Sequence, residues 1–281
     1  MRVISYQIIV EAVKKLCVEA ATKLPKDVVA ALQKALEAEE SPRGKNILRQ
    51  CLENAKLAVC ENDPICQDTG VAVYFVELGS EVTISGGTLI DAINEGTRQG
   101  YRDGYLRKSI VADPLFDRKN TGDNTPAIVH IDIVAVEVLG ITLLPKGGGS
   151  ENCSALGMLK PADGPAAVTD FVVDTVVKSG GKPCPPVIVG VGIGGTADRA
   201  MLLAKKALLR PVGKSHGDER YAKLEQTILE KINASGIGPQ GLGGTVTALA
   251  VHIEEYPCHL ASLPVAVNCN CHAARRAEIS L

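Results

Sequence analysis

The sequence predicts a mixed α/β fold, in which a helical N-terminal region is followed by mixed β-sheets surrounded by helices. Apolar residues recur at helical spacing through the first 60 residues, and short β-branched runs typical of strands follow. These runs do not alternate regularly with helices, as a doubly wound parallel sheet would require. We expect residues 1–281 to form one domain, with a helical segment over 1–60 and a mixed α/β region over 61–281.

Residues 5–60 are predicted to be helical. Ile9, Val13 and Leu16 lie on one face of a first helix, and Val28 and Leu32 lie on one face of a second. A proline and an aspartate precede the second helix and favour a helix start there. A third helical segment follows the next Ser-Pro pair.

The remaining elements follow from the same two periodicities. The apolar and polar residues alternate most clearly in Ile128-Val129-His130-Ile131-Asp132-Ile133, so 127–144 is predicted to hold two strands. Polar or glycine-rich stretches at 117–125 and 146–152 are predicted loops. We further predict helices over 89–106, 165–178, 197–209 and 218–233, and strands over 71–78, 187–193, 245–253 and 263–268.

Composition and charge exclude several classes of function. The net charge is −2, and the chain has three Phe, six Tyr and no Trp. It therefore has neither the basic footprint nor the stacking surface of a nucleic-acid-binding protein. We find no secretory signal peptide and no apolar run long enough to span a membrane. We expect a cytoplasmic protein that binds neither nucleic acid nor membranes.

The nine cysteines are dispersed along the chain, and their number is odd. In a reducing compartment this disfavours a disulfide framework. No two cysteines are separated by two residues, so an ordinary structural zinc ribbon is disfavoured as well. Single cysteines held in Pro- and Gly-rich loops fit an iron–sulfur cluster better.

Three of the cysteine-containing loops are candidate sites. Cys66 precedes a polar segment in which Asp68 either caps a turn or faces a cleft. Cys184 is surrounded by three prolines, which either stiffen a connection or hold a metal ligand rigidly. Cys269 and Cys271 alternate, so both would face the same side of a strand, whereas in a loop one ligand would suffice.

Two further segments are ambiguous. The glycines of 146–152 form either a flexible turn or a backbone nest for a carboxylate or phosphate. His259 lies among apolar residues, where a histidine is more often a core residue than an acid–base catalyst.

Two nucleotide-binding patterns match only in part. Gly190–Gly195 has the spacing of a dinucleotide-binding loop, but no second strand or acidic residue follows, so tight packing of a strand on a helix is the preferred interpretation. The Gly-Lys-Ser at 213–215 lacks the first glycine of a phosphate-binding loop.

Four motifs carry a resemblance to a known family, and they occur in the same order in it. They are Pro-Ile-Cys66-Gln-Asp-Thr-Gly, Lys146-Gly-Gly-Gly-Ser-Glu-Asn152, Pro-Cys184-Pro-Pro with the glycine-rich segment that follows, and the segment of Cys271. The whole chain resembles the alpha subunit of a two-subunit class I iron–sulfur fumarate hydratase, or of the related L-tartrate dehydratase. The resemblance implies a [4Fe-4S] cluster held by Cys66, Cys184 and Cys271, whose fourth iron has an open coordination site.

The resemblance also implies the residues that contact the substrate. Gln67 and Asp68 would lie beside the cluster, and Asp68 would deliver a proton to the leaving hydroxide. Arg107 would pair with a substrate carboxylate, and Gly148 would offer a backbone contact. His259 matches a family histidine near the substrate and completes the predicted catalytic set.

The expected activity is the reversible hydration of fumarate to L-malate, with a small dicarboxylate as substrate. The alternatives are an L(+)-tartrate dehydratase alpha subunit and, from another class, a metal-binding assembly module without its own activity; a nicotinamide oxidoreductase is a more distant one. Single-chain members of the family continue into a second domain with a threonine base and further cations. We therefore expect a beta subunit to supply these groups, in an α2β2 assembly.

Overall fold

The structure, a computed structural model, describes residues 2–281. Its helices in chain order are α1 (Tyr6–Thr22), α2 (Lys26–Ala38), α3 (Pro42–Glu61), α4 (Leu89–Asp103), α5 (Gly148–Glu151), α6 (Gly164–Ser179), α7 (Ala197–Ala207) and α8 (Glu219–Asn233). The strands are β1 (Arg2–Ser5), β2 (Val71–Gly79), β3 (Val82–Ser85), β4 (Ile128–Val134), β5 (Leu139–Lys146), β6 (Ala155–Leu159), β7 (Val187–Gly194), β8 (Ala248–Tyr256), β9 (Leu263–Asn270) and β10 (Ala277–Ser280). The predicted mixed α/β class is confirmed.

The chain divides into two compact units. Unit 1 contains the described residues up to Pro25, together with Ala55–Gly148 and Arg275–Leu281. Unit 2 contains Lys26–Asn54 and Gly149–Ala274. The expectation of one domain over residues 1–281 stays a prediction.

Unit 1 is built on a four-stranded mixed sheet in the order β10-β5-β2-β4. Strand β2 pairs with β4 in parallel and with β5 in antiparallel orientation. Helices α1 and α4 pack together and, with one face of the sheet, enclose the apolar core of the unit. Two glycines of α4 allow this close approach, because a Cβ at Gly96 or Gly100 would lie 2.6 Å from the Cβ of Val13 or Cys17.

Unit 2 contains a second four-stranded mixed sheet, in the order β6-β9-β7-β8. Every residue of β7 is buried, as expected for a central strand that is covered on both faces. A Cβ at Gly190 or Gly192 would overlap the carbonyl oxygen of Ala204 or Ala200 on α7. The glycine-rich segment thus packs a strand against a helix, and this interpretation is confirmed.

The short elements are where the sequence prediction differs from the structure. Strands β1, β3, β6 and β10 have only four or five residues and were not predicted, because so short a run shows no clear alternation. The predicted loop at 146–152 contains the single turn α5. Glu151 anchors this turn through a 2.6 Å ion pair with Lys205. No helix in residues 2–281 combines the length and the apolar character needed to cross a bilayer.

Candidate active-site residues

In unit 1, the loop between α3 and β2 presents the polar residues that the sequence singled out. The carboxylate of Asp68 accepts a hydrogen bond from the N–H of Gly148 at 2.8 Å and one from the N–H of Gly70 at 3.1 Å. The loop thus brings Asp68 and Gly148 together. The turn-capping interpretation of Asp68 holds as well, since one of its oxygens binds the amide two residues on. Asp68 is half-buried and Gln67 is exposed, so both face solvent at least in part.

Buried side chains hold the backbone of this loop from beneath. The hydroxyl of Tyr101 contacts the carbonyl oxygens of Thr69 and Gly70 at 3.0 and 3.1 Å. The amide of Asn124 donates to the same Gly70 oxygen at 3.1 Å. Burial raises the pKa of Tyr101 far above its usual value, so the hydroxyl keeps its proton and acts as a donor. Tyr101 and Asn124 thus support this loop through hydrogen bonds from neutral side chains.

Gly70 ends the loop in a conformation that favours glycine. Its φ is +79°, and a Cβ there would lie 2.7 Å from the carbonyl carbon and oxygen of Lys146. The predicted substrate ligand Arg107 lies nearby in this unit. Its carbonyl oxygen accepts a hydrogen bond from the Thr69 hydroxyl at 2.9 Å, and its side chain is exposed. The turn that presents Asp68 and the segment that carries Arg107 are thus joined through Thr69.

Arg275 is a feature that the sequence reasoning missed. Only 2% of it is exposed, and its Nη2 donates to the carbonyl oxygen of Asp68 at 2.8 Å. Within residues 2–281, its Nε and Nη1 have no hydrogen-bond partner. A buried cation therefore lies directly behind the Asp68 loop. The sequence does place Arg275 four residues after the candidate ligand Cys271, and this short spacing indicates a residue close to the site.

In unit 2, Cys184 and Cys271 are brought together. The backbone N–H of His272 donates to the carbonyl oxygen of Cys184 at 3.1 Å, which joins the two cysteine segments directly. Cys184 is exposed and has a φ of +55°, as expected of a residue held in a tight proline-rich turn. Cys271 is half-buried and lies just beyond the end of β9.

A third cysteine of unit 2 lies close to this pair and was not predicted. Cys51 is a buried residue of α3. Its pKa is raised to about 11, first by burial and then by the negative charges of the Cys271 and Cys184 thiolates. Both cysteines are thus within electrostatic range of Cys51.

Cys269 is separated from this group by its burial. It is fully enclosed in the core of unit 2, where it packs with the apolar side chains of the sheet. Strand β9 ends at Asn270, so Cys271 has left the strand and the two cysteines differ in environment. Of the two alternatives left open by the sequence, the structure favours the one in which the chain has left the strand at Cys271.

His259 lies in the exposed connection between β8 and β9. Its ring is exposed, and its Nδ1 accepts a hydrogen bond from the N–H of Ala261 at 3.2 Å. The interpretation of His259 as a core histidine is wrong. Its role near a substrate stays a prediction.

The donor set has the chemistry that an iron–sulfur cluster requires. Cys66, Cys184 and Cys271 all retain some exposure and form no disulfide, whereas Cys17 and Cys269 are buried. Cysteine thiolates are the usual protein ligands of such clusters. Cys66 belongs to unit 1, and the other two cysteines belong to unit 2. Within residues 2–281, no group of three or more His, Cys, Asp or Glu side chains is already arranged to hold a metal ion. The convergence of all three thiols stays a prediction.

A family model described as "Fumarate hydratase (Fumerase)" matches residues 10–280. The chain is 47% identical over 272 residues to the "Putative L(+)-tartrate dehydratase subunit alpha" of Methanocaldococcus jannaschii, with 95% of each chain covered. It is 35% identical over 262 residues to the "L(+)-tartrate dehydratase subunit alpha" of Escherichia coli strain K12, which covers 92% of this chain and 86% of that one. A Shigella boydii protein of the same name matches equally well.

Proposed function

The chain belongs to the fumarate hydratase (Fumerase) family, and on that premise we propose that it is the alpha subunit of an iron–sulfur hydro-lyase. The proposed reaction is the reversible addition of water to fumarate, which gives L-malate. The observation that carries the proposal is the meeting of Cys184 and Cys271, two accessible thiols on separate segments joined through the His272 amide. Two such thiols without a disulfide are the expected arrangement of ligands for a shared metal group.

The proposed ligands of a [4Fe-4S] cluster are Cys66, Cys184 and Cys271. Three protein thiolates leave one iron of such a cluster without a protein ligand. When bound, the cluster supplies this iron as a Lewis acid for the hydroxyl and a carboxylate of the substrate. The buried Cys51 lies beside two of the ligands and stays protonated at neutral pH because its pKa is about 11.

The polar loop of unit 1 supplies the proposed acid–base chemistry. Two backbone amides fix the carboxylate of Asp68, so the group is oriented before substrate binds. In the dehydration direction we assign the protonated form of Asp68 the transfer of its proton to the departing hydroxide, which leaves as water. In the hydration direction the Asp68 carboxylate takes that proton back from water. We assign Gln67 and His259 to the same catalytic set. Arg107 has an exposed guanidinium that would bind a substrate carboxylate in a bidentate manner, and Gly148 would contribute its backbone.

A beta subunit is the proposed partner. The names of the relatives describe alpha subunits, which implies a second chain in those enzymes. The proposed beta chain would supply the catalytic base and further cations for the dicarboxylate, in an α2β2 assembly. We expect the alpha chain alone to bind the cluster and to show negligible turnover.

A second candidate, dehydration of L(+)-tartrate to oxaloacetate, is favoured by the names of the same relatives. Both substrates are four-carbon dicarboxylates that would present a hydroxyl group to the open iron. The residues of the alpha chain therefore do not separate them.

The deciding experiment measures kcat/KM for L-malate and for L(+)-tartrate with the anaerobically assembled complex. A higher value for malate supports the fumarate hydratase proposal, and a higher value for tartrate supports the second candidate. A complex that contains the full complement of iron and sulfide yet turns over neither substrate would overturn both.

A further inference from the structure

Strand β4 forms an open edge of the sheet in unit 1. It pairs with β2 on one side, and within residues 2–281 no strand pairs with its other side. A seven-residue edge strand exposes a row of backbone groups that another strand can bind. This strand has no proline and only one carboxylate, so it lacks the usual protection against such pairing.

The exposed side chains of this edge are mostly apolar. Ile131 is 41% exposed and Ile133 is 76% exposed. They are in register with Val76 and Leu78 of β2, so they lie on the face of the sheet that carries the core of unit 1. The apolar face thus continues beyond the part of the sheet that is covered, up to the open edge.

The sequence of β4 is self-complementary in antiparallel orientation. If a second β4 pairs with the first about a two-fold axis at Ile131, Ile128 faces Val134 and Val129 faces Ile133. In this register His130 faces Asp132, and the pair occurs twice. A shift by two residues would instead place Asp132 opposite its own copy or opposite Ile128. The positions of His130 and Asp132 in the strand therefore favour one register.

The surroundings of Asp132 and His130 favour the same pairing. Asp132 is in register with Glu77 of β2, so two carboxylates are neighbours on one face of the sheet. A second copy would place an imidazole on the other side of Asp132. His130 packs against Phe75 with ring centroids 5.2 Å apart, which orients its side chain on that face.

We propose that two copies of this chain associate through β4, in antiparallel register about Ile131, and that the two sheets join into one of eight strands. The interface is isologous, because each copy supplies the same seven residues. Backbone hydrogen bonds give the affinity, the isoleucines are removed from water, and the two His–Asp pairs fix the register. The proposal does not depend on the reaction that the protein catalyses.

Crosslinking of the full chain tests the register. The variant Ile131→Cys places two thiols opposite each other at the two-fold axis. In the matched control Ile133→Cys the new thiols are four residues apart along the strands, about 14 Å, which is too far for a disulfide. We expect mild oxidation to give a disulfide-linked dimer of Ile131→Cys, with the bond mapped to residue 131 by peptide mass spectrometry, and no such link at 133. Equal crosslinking of the two variants, or none at 131, would overturn the proposal.

A charge exchange tests the same interface without new cysteines. His130→Asp places carboxylates opposite carboxylates, and we expect the dimer dissociation constant in sedimentation equilibrium to rise about tenfold. The double variant His130→Asp/Asp132→Lys restores opposite charges and should recover the dimer. A wild-type chain that is monomeric in this assay would contradict the proposal. So would a β4 edge that becomes covered only when the beta subunit is added. Variants with unchanged dissociation constants would contradict it as well. Circular dichroism checks that each variant is folded.

Discussion

The alternating cysteines at the end of β9, one inside the strand and one just beyond it, provide the sharpest test of the proposed ligand set. Cys269 and Cys271 are separated by one residue, and each can be changed to alanine. Cys269 is fully buried in the core of unit 2, whereas Cys271 is half-buried beyond the end of the strand. Of these two cysteines, only Cys271 is a proposed ligand of iron. Cys269→Ala should therefore lower stability and keep the cluster, whereas Cys271→Ala should lose the cluster with little change in stability.

The magnitudes follow from burial. Cys269→Ala removes a sulfur atom from a fully packed site, and we expect the apo chain to lose about 1 kcal/mol of unfolding free energy. Cys271→Ala removes a partly solvated sulfur, and we expect a loss of less than about 0.5 kcal/mol. In contrast, Cys271→Ala should lose the cluster, while Cys269→Ala should bind it as the wild type does.

Two measurements on the same samples separate these outcomes. Urea unfolding of the apo chain gives the stability, and iron and sulfide analysis with visible absorbance under argon gives the cluster content. Cys271 is not a ligand if Cys271→Ala keeps wild-type iron. The assignment also fails if Cys269→Ala loses iron while it remains folded.

Three further predictions concern one proposed catalytic residue, one glycine of its loop and one buried carboxylate of unit 2. Asp68→Asn should lower kcat of the assembled enzyme at least about 100-fold. It should cost only about 1 kcal/mol of stability, because one of the two hydrogen bonds from backbone amides is retained. Activity equal to that of the wild type would remove Asp68 from the mechanism. Gly70→Ala should destabilise the chain by about 3 kcal/mol in urea unfolding. The φ of Gly70 is +79°, and the new methyl group would lie 2.7 Å from the Lys146 carbonyl. A loss of stability below about 1 kcal/mol would contradict this geometry. Glu39→Gln should cost about 2 kcal/mol at neutral pH, because the carboxylate accepts hydrogen bonds from the N–H groups of Thr245, Val246 and Ser41. Burial opposes ionisation of Glu39, but these bonds outweigh it and hold the pKa below its usual value, so the stabilisation is complete above about pH 4.3 and is lost as the pH falls through the lowered pKa. Unfolding curves of wild type and variant should converge in acid, and a constant difference at all pH values would exclude this cause.

The sequence predicted the long elements of the fold because their periodicity extends over several turns or residues. The three helices of residues 5–60 and the central strands β2, β7 and β9 follow this rule. The short strands β1 and β10 were missed because their partners, β3 and β5, lie far away in the sequence. Their formation depends on tertiary pairing, which a local pattern does not contain.

The candidate site was predicted from motifs, and its supports were not. The Asp68 loop and the Cys184 loop were recognised by unusual local composition. Arg275 and Cys51 lie next to these loops only in the folded chain, and neither belongs to a local pattern. The glycines of β7 illustrate the opposite error, since a familiar spacing is explained by packing against α7.

We propose that one iron of a cluster held by Cys66, Cys184 and Cys271 binds the substrate. Mössbauer spectroscopy of the iron-57-loaded complex, recorded with and without L-malate, tests it directly. We predict that the signal of one iron in four changes when L-malate is added, because only that iron lacks a protein thiolate. A spectrum in which all four irons remain unchanged at saturating substrate would contradict the account.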